Sequence, residues 1–381
     1  MPDFARVKVL IVDDSAMMRN VLQMGLSQDP LIEIIGSASN GEQAWAFIQG
    51  QRPDVITLDL NMPKEDGLSF LRRLMPATPI PVVVISSMTQ DGTEAPVAAM
   101  EAGAVDVIAK PVIGPMSKPN MMAEVCARVR AAAKANPSPG RQRVGQSCTL
   151  RAQVIPEAFR PRSLIAIGAS TGGVQALSRI LPLFPAHTPA ILLVQHMPEG
   201  FTAAFAKRLD AACHMHVVEA SDGDLVQAGT VLVAPGGTRH MQIVSHGNSF
   251  RVSLVEGDPV AYSRPSVDVM FRSVARVAGK HAVAAILTGM GRDGAEGMLE
   301  LRRSGAQTFA QDENSCVVYG MPQAAVQLGA TLASLPLDDI PARLLRAISA
   351  PTDPRAAETH PNPHAPQRAQ ALSRPRPGDH Q

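Results

Sequence analysis

Cysteine is scarce. The chain has 4 in 381 residues, Cys126, Cys148, Cys213 and Cys316, and none falls at a paired spacing. That pattern argues against a disulfide framework or a cysteine zinc site, and for free thiols. Long hydrophobic runs are missing too: Val82 to Ile85 and Ala282 to Leu287 are typical, and a bilayer span needs roughly 18 apolar residues. No membrane insertion is expected. An excess of one charge is also absent, since 35 basic and 34 acidic residues leave a formal charge of +1. No global field then favours nucleic acid or anionic lipid. The stretch from Met1 to Asp14 has neither an apolar h-region nor a small-residue cleavage site, so a cytoplasmic protein is expected. No internal repeat is found.

A chain of 381 residues is long enough for two domains that each bury a core. Short β-branched runs alternate with amphipathic segments, which is the pattern of βαβ units and a parallel sheet. Strands are predicted at Val7–Val12, Ile32–Ala38, Val55–Leu58, Pro81–Ile85 and Asp106–Ile108. Helices fit at Ala16–Ser27, Glu42–Gln49, Leu68–Met75, Glu94–Ala102 and Met121–Lys134. Together they make a doubly wound, five-stranded parallel domain over 5–134. A breaker-rich stretch, with Asn136-Pro137-Ser138-Pro139-Gly140-Arg141 at its start, is read as a linker over 135–161. A second doubly wound α/β domain over 162–349 has strands at Leu164–Ile167, Ala190–Val194, His216–Glu219, Val231–Ala234, Ala282–Leu287 and Gln307–Ala310. The segment 350–381, rich in Pro, His, Arg and Ala, is expected to be disordered.

In the first domain Asp13 and Asp14 end the first strand, Asp59 follows the third, Ser86 the fourth and Lys110 the fifth. The carboxyl ends of a doubly wound sheet converge on one crevice. Three clustered carboxylates repel one another, and a hard divalent cation such as Mg²⁺ relieves that repulsion. Lys110 supplies a compact positive charge opposite them. Asp59 is then placed to attack a phosphoryl group. Any one of these aspartates alone would more simply be a helix cap or loop residue; five fitting residues at four strand ends favour the pocket.

The segments Val12-Asp13-Asp14-Ser15, Asp59-Leu60-Asn61-Met62-Pro63, Ile85-Ser86-Ser87 and Ala109-Lys110-Pro111 resemble the receiver domain of bacterial response regulators over about residues 5–130. The resemblance implies phosphorylation at Asp59 by a histidine kinase. It implies Mg²⁺ ligation by Asp14, Asp59 and the carbonyl of Asn61, support from Asp13, and phosphate contacts from Ser86 and Lys110. Receivers often carry an aromatic residue three before the lysine. Here it is Val107, so ring reorientation is not the expected relay, and another relay or interface remodelling alone must serve.

In the second domain, strand Leu164–Ile167 runs into Gly168-Ala169-Ser170-Thr171-Gly172-Gly173, a G-x-S-x-G elbow. Small flanking residues permit a sharp strand-to-helix turn that exposes a serine hydroxyl beside unpaired helix N–H groups. A Gly-rich loop in this place more often cradles a dinucleotide, but G-x-G-x-x-G is absent because Ser170 stands where the second glycine belongs. A serine nucleophile needs a base, and histidine suits near-neutral pH. The next strand ends in Gln195-His196-Met197-Pro198, and a later one in Thr288-Gly289-Met290-Gly291-Arg292-Asp293-Gly294, whose Asp293 is placed to orient the imidazole. The order Ser, His, Asp differs from that of α/β-hydrolases.

These three motifs, with Arg264-Pro265-Ser266-Val267-Asp268-Val269-Met270-Phe271, closely resemble the chemotaxis protein-glutamate methylesterases from about Leu164 to Ser349. The resemblance implies a phosphorylation-regulated esterase in which Ser170 attacks glutamate γ-methyl esters on methyl-accepting chemoreceptors, with His196 as general acid/base and Asp293 fixing its tautomer. Methanol and glutamate are the products, and deamidation of receptor glutamines is a further activity of such enzymes. Thr171 and the backbone near Met290 are the oxyanion candidates, and no cofactor is implied for the esterase step. The receiver is expected to cover the crevice until Asp59 is phosphorylated by the chemotaxis histidine kinase. Two rivals are a response regulator that acts by binding alone and a generic serine acylhydrolase. The first lacks the basic helical module of a DNA-binding output.

The run Cys213-His214-Met215-His216 does not suggest a metal site, because neighbouring side chains on a strand alternate faces. The glycine turn after Val233-Ala234 is expected near the crevice without readable roles, and Arg264 and Asp268 read as structural.

Overall fold

Uninterrupted β-branched runs form strands buried on both faces, as a parallel sheet covered by helices requires. The computed structural model describes residues 6–86, 94–111, 121–135 and 159–349. The greater part of the expected linker and the whole tail 350–381 lie outside the described residues. In the first domain β1 (Val7–Val12), β2 (Ile32–Ala38), β3 (Val55–Leu58), β4 (Val82–Ser86) and β5 (Asp106–Ala109) pair in parallel, in the order β2-β1-β3-β4-β5. Helices α1 (Ala16–Leu26), α2 (Gly41–Gly50), α3 (Gly67–Ala77), α4 (Glu94–Glu101) and α5 (Met121–Ala133) alternate with them. Ser15, Asn40 and Asp66 cap α1, α2 and α3 by accepting from the N–H groups of Met18, Gln43 and Ser69.

The sheet is doubly wound. Leu10 and Val12 of β1 join a core with Phe70 of α3 and Val97 of α4, while Val9 and Ile11 join Leu22 of α1 and Val125 of α5 on the opposite face. Strand β4 begins one residue later than the sequence suggests, since Pro81 has no N–H to give the ladder.

The second domain is built on a seven-stranded parallel sheet. Its strands are β6 (Leu164–Ala169), β7 (Ile191–Gln195), β8 (His216–Glu219), β10 (Thr230–Val233), β13 (Ala282–Ile286), β14 (Gln307–Gln311) and β15 (Ala333–Leu335), in the order β15-β14-β13-β6-β7-β10-β8. Helices α6 (Gly173–Ile180), α7 (Phe201–Asp210), α8 (Val267–Val277), α9 (Ala295–Arg303), α10 (Met321–Gln327) and α11 (Ile340–Ile348) complete the units. Ile165 and Ile167 face one core and Leu164 and Ala166 the other, so this sheet too is covered on both sides. An element the sequence reading did not contain is a small antiparallel sheet, in the order β11-β12-β9, made of β9 (Leu225–Val226), β11 (Arg239–His246) and β12 (Ser249–Glu256).

The described residues fall within one compact unit, Met1–Ser349. Helix α4 packs against α6 and α7, and one continuous apolar core contains both Val97 and Met100 of the first domain and Leu177 of the second. Val317 and Val318, in the loop after β14, pack against the other core of the first domain.

Candidate active site and phosphoacceptor pocket

In the first domain, the strand order sets β1, β3, β4 and β5 side by side, so the residues at their carboxyl ends meet. Lys110 Nζ donates to Asp59 Oδ2 at 2.7 Å and lies 3.1 Å from Asp13 Oδ2. The Asn61 N–H donates to Asp59 Oδ1 at 3.3 Å. Asp13, Asp59 and Ser86 are buried, whereas Asp14 and Asn61 are exposed. Burial pushes the Asp59 carboxyl above its ordinary value despite the opposing pull of Lys110. Burial also works against the Lys110 charge, but the hydrogen bond and charge of Asp59 outweigh it and the ammonium is held above its usual value.

Oxygen atoms of Asp13, Asp14 and Asp59 lie within 4.8 Å of one another. Hard oxygen donors at that spacing fit a divalent cation. The five side chains singled out in sequence are therefore drawn to one end of one sheet, with Asn61 on the adjoining loop.

In the second domain β13, β6 and β7 are neighbours, and the elbow, the histidine and the aspartate follow their carboxyl ends. The Ser170 N–H donates to Thr288 O at 3.0 Å, and the His196 N–H to Ala169 O at 3.1 Å. Gln195 Nε2 donates to Ser170 O at 2.9 Å, which ties the two strand ends together. Gly289 must be glycine for a close approach, because a Cβ there would sit 2.8 Å from that of Ser170. Gly172 caps α6 in the left-handed conformation, at φ 77°, which turns the chain from strand to helix.

His196 Nε2 meets Asp293 Oδ2 at 2.8 Å, and both groups are buried. A carboxylate only accepts, so Nε2 carries the proton of the neutral ring and Nδ1 its lone pair. Asp293 is itself saturated. It takes the Ser266 hydroxyl at 2.7 Å, the Val267 N–H at 2.7 Å and the Asp268 N–H at 3.1 Å. Burial works to raise its pKa, but His196, Ser266 and Val267 together hold the carboxyl below the ordinary range. Asp268 is buried as well, bonds the Gly297 N–H at 2.6 Å to tie α8 to α9, and is pushed up by burial.

Among the described residues, neither the Thr171 N–H nor the Met290 N–H has a hydrogen-bond partner. Thr171 is buried and Met290 partly exposed, and an unpaired backbone donor beside the serine is a candidate for holding an incoming oxygen. The Thr171 hydroxyl is turned away from the serine, toward the first domain. It donates to Asp106 Oδ2 at 3.1 Å, and the Gly172 N–H donates to Val105 O at 3.1 Å. Arg128 completes the Asp106 carboxylate at 3.3 Å. Gln175 Nε2 bonds the carbonyls of Met100 at 2.6 Å and Ala104 at 2.5 Å. Lys207 and Arg208 pair with Glu94 and Glu101 at the exposed rim.

Sequence reasoning did not pick out Thr288, Ser263, Ser266 as a ligand of Asp293, or Asp106 as a partner of the elbow. Thr288 is buried, its hydroxyl donates to Thr171 O at 2.9 Å, and it accepts the Val318 N–H at 3.0 Å. Its place at a strand end beside the glycine loop was the available signal.

Residues 165–344 match the family model described as CheB methylesterase, and residues 9–118 that of the response regulator receiver domain. The chain is 57% identical over 357 residues to the protein-glutamate methylesterase/protein-glutamine glutaminase 2 of Cereibacter sphaeroides, covering 91% of this chain and 93% of that one. It is 48% identical over 352 residues to a similarly named protein of Anaeromyxobacter dehalogenans, covering 89% and 96% of the two chains. A third, from Caulobacter vibrioides, is 46% identical over 347 residues, covering 91% and 99%.

Proposed function

Because the chain belongs to the protein-glutamate methylesterase/protein-glutamine glutaminase family, we propose that it hydrolyses glutamate γ-methyl esters on chemoreceptors and deamidates receptor glutamines under the control of its receiver. The observation that carries this reading is the buried His196–Asp293 pair at 2.8 Å, on strand ends joined by hydrogen bonds to the Ser170 elbow.

Ser170 is the nucleophile. Its hydroxyl proton passes to His196 Nδ1 as Oγ bonds the ester carbon, and the carbonyl electron pair moves onto oxygen. The Thr171 and Met290 N–H groups receive that oxyanion. Collapse expels methanol, which takes the proton from Nδ1, and water attacking the acyl-enzyme under the same base releases glutamate. Asp293 stays ionised throughout, holding the tautomer and stabilising the imidazolium. On a glutamine the leaving group is ammonia.

Asp59 is the phosphoacceptor and a chemotaxis histidine kinase the donor. Asp14, Asp59 and the Asn61 carbonyl would hold Mg²⁺, supported by Asp13. The ion supplies charge neutralisation at the phosphoryl oxygens, and Ser86 and Lys110 contact the phosphate. Regulation follows from the interface: the receiver holds the Thr171 hydroxyl and the Gly172 N–H, so it covers the elbow while unphosphorylated. Phosphate near Lys110 reshapes the surface that the receiver presents and loosens this cover. No helix among the described residues is long and apolar enough to cross a membrane, and the enzyme works on the cytoplasmic helices of its receptors.

Release of labelled methanol from methylated receptor membranes tests the reading, run beside hydrolysis of a p-nitrophenyl ester. Wild type should release methanol and Ser170→Ala should not. Turnover of the small ester at a comparable rate would favour a generic acylhydrolase, and methanol release by neither protein would favour a regulator that acts by binding.

A further inference from the structure

With Nε2 committed to Asp293, the chemistry at His196 depends on Nδ1, and that nitrogen has a partner. Ser263 Oγ lies 3.3 Å from it. Nδ1 holds the lone pair of the neutral ring, so the hydroxyl donates. The bond is at the long end of its class, but the serine is fixed by an elaborate frame.

Val260 and Ser263 exchange two backbone hydrogen bonds, at 3.1 and 2.9 Å, around a two-residue turn. Both turn residues have positive φ, Ala261 at 49° and Tyr262 at 66°. Such turns normally use asparagine and glycine, and left-handed backbone is unfavourable for alanine and tyrosine. Strain of this kind persists where surrounding structure fixes it, and it concentrates at functional sites. Arg264 supplies part of that frame by donating to Gly237 O at 2.9 Å and Gly257 O at 2.6 Å. His240 supplies the rest: it bonds Asp258 O at 3.0 Å and accepts the Ser266 N–H at 3.1 Å. Three to five residues after Ser263, the same segment supplies the Ser266 hydroxyl and the Val267 and Asp268 N–H groups to Asp293. One stretch of chain therefore grips the histidine and its carboxylate together.

We propose that Ser263 is a positioning residue for the general base, a role that rests on the triad reading and extends it. In the resting enzyme its hydroxyl donates to Nδ1 and holds the ring in plane with Asp293, and it gives up that single lone pair to the Ser170 hydroxyl when the ester is seated. Once Nδ1 has taken the Ser170 proton, the turned Ser263 hydroxyl accepts from the new N–H and steadies the imidazolium until the departing methoxide takes that proton. Only a group that both donates and accepts can serve both states, which alanine cannot and threonine can. The loss of one net hydrogen bond at this step corresponds to about a tenfold change in rate.

The test uses the full-length protein with its phosphodonor and methylated receptor membranes. Ser263→Ala should lower kcat about tenfold, with KM and the thermal midpoint unchanged, and Ser263→Thr should restore it. Nitrogen NMR of the His196 ring should show the Nδ1 resonance displaced in Ser263→Ala and returned in Ser263→Thr. An unchanged kcat with an unmoved Nδ1 resonance overturns the proposal, as does a loss that threonine fails to rescue and that follows a fall in thermal midpoint. Ser170→Ala in the same assay separates the two levels, since activity surviving there removes the triad itself whatever Ser263 does.

Discussion

Asp106, the first residue of β5 in the receiver, accepts a hydrogen bond from the hydroxyl of Thr171, the residue that follows Ser170, at 3.1 Å. Strand β5 ends at Ala109, one residue before Lys110 of the phosphoacceptor pocket. A single strand of about 13 Å thus runs from the contact with the elbow at Asp106 to the residue before Lys110.

Substituting Asp106 should release the elbow. Asp106→Asn is expected to raise methanol release by the unphosphorylated full-length enzyme about 3- to 10-fold, in line with the weakening of a charge-assisted hydrogen bond to a neutral one. The phosphodonor should then add less than it does to wild type. A basal rate equal to wild type would place the regulatory contact elsewhere.

The catalytic groups act as a unit, so their losses should be large and unequal. Ser170→Ala and His196→Ala are each expected to lower kcat by about 10⁴–10⁶, and Asp293→Asn by somewhat less. Circular dichroism and initial rates on the same preparations separate lost chemistry from lost fold. Retention of more than a few per cent activity by Ser170→Ala would remove it as the nucleophile.

Asp293 also predicts a pH dependence of stability. Its carboxyl is held below the ordinary range in the folded protein. A depressed folded pKa contributes stability that is fully present above the unfolded value and is lost as pH falls through the folded one. Urea unfolding should show Asp293→Asn less stable than wild type by about 1–3 kcal/mol at pH 7, with the gap closing as pH falls below the ordinary carboxylate range. A gap that widened in acid would contradict the arrangement.

At the phosphoacceptor, Asp59→Asn should abolish incorporation of phosphate from a small phosphodonor while the fold is kept. Lys110→Ala should retain phosphorylation of Asp59 but lose most of the rise in esterase rate, since Lys110 joins the phosphate site to β5. Intact-protein mass spectrometry reads the first and methanol release the second.

Much of this was legible in the chain because central parallel strands are buried on both faces and appear as apolar runs, while the edge strands β2 and β8 keep a shorter β-branched signal. Val7–Val12, Ile32–Ala38, Val55–Leu58 and His216–Glu219 lie at their predicted bounds. The positions of the candidate residues followed from topology, since Asp13, Asp59, Lys110, Ser170 and His196 each stand just past a strand end. Strand β11 was illegible for the opposite reason: its sequence RHMQIVSH mixes buried and exposed residues and ends in solvent, with no apolar run to mark it. Ser263 and Ser266 reach His196 and Asp293 from a loop whose place only the folded chain determines. Asp106 looked like a strand residue because its interface role depends on a partner 65 positions away.

The most direct test of the account is the rate of methanol release from methylated receptors by the full-length enzyme, with and without a small phosphodonor and Mg²⁺, beside Asp59→Asn and Ser170→Ala. The account predicts a low basal rate, a rise with phosphodonor in wild type, no rise in Asp59→Asn and no release by Ser170→Ala. Equal rates in wild type with and without phosphodonor, or release by Ser170→Ala, would contradict it.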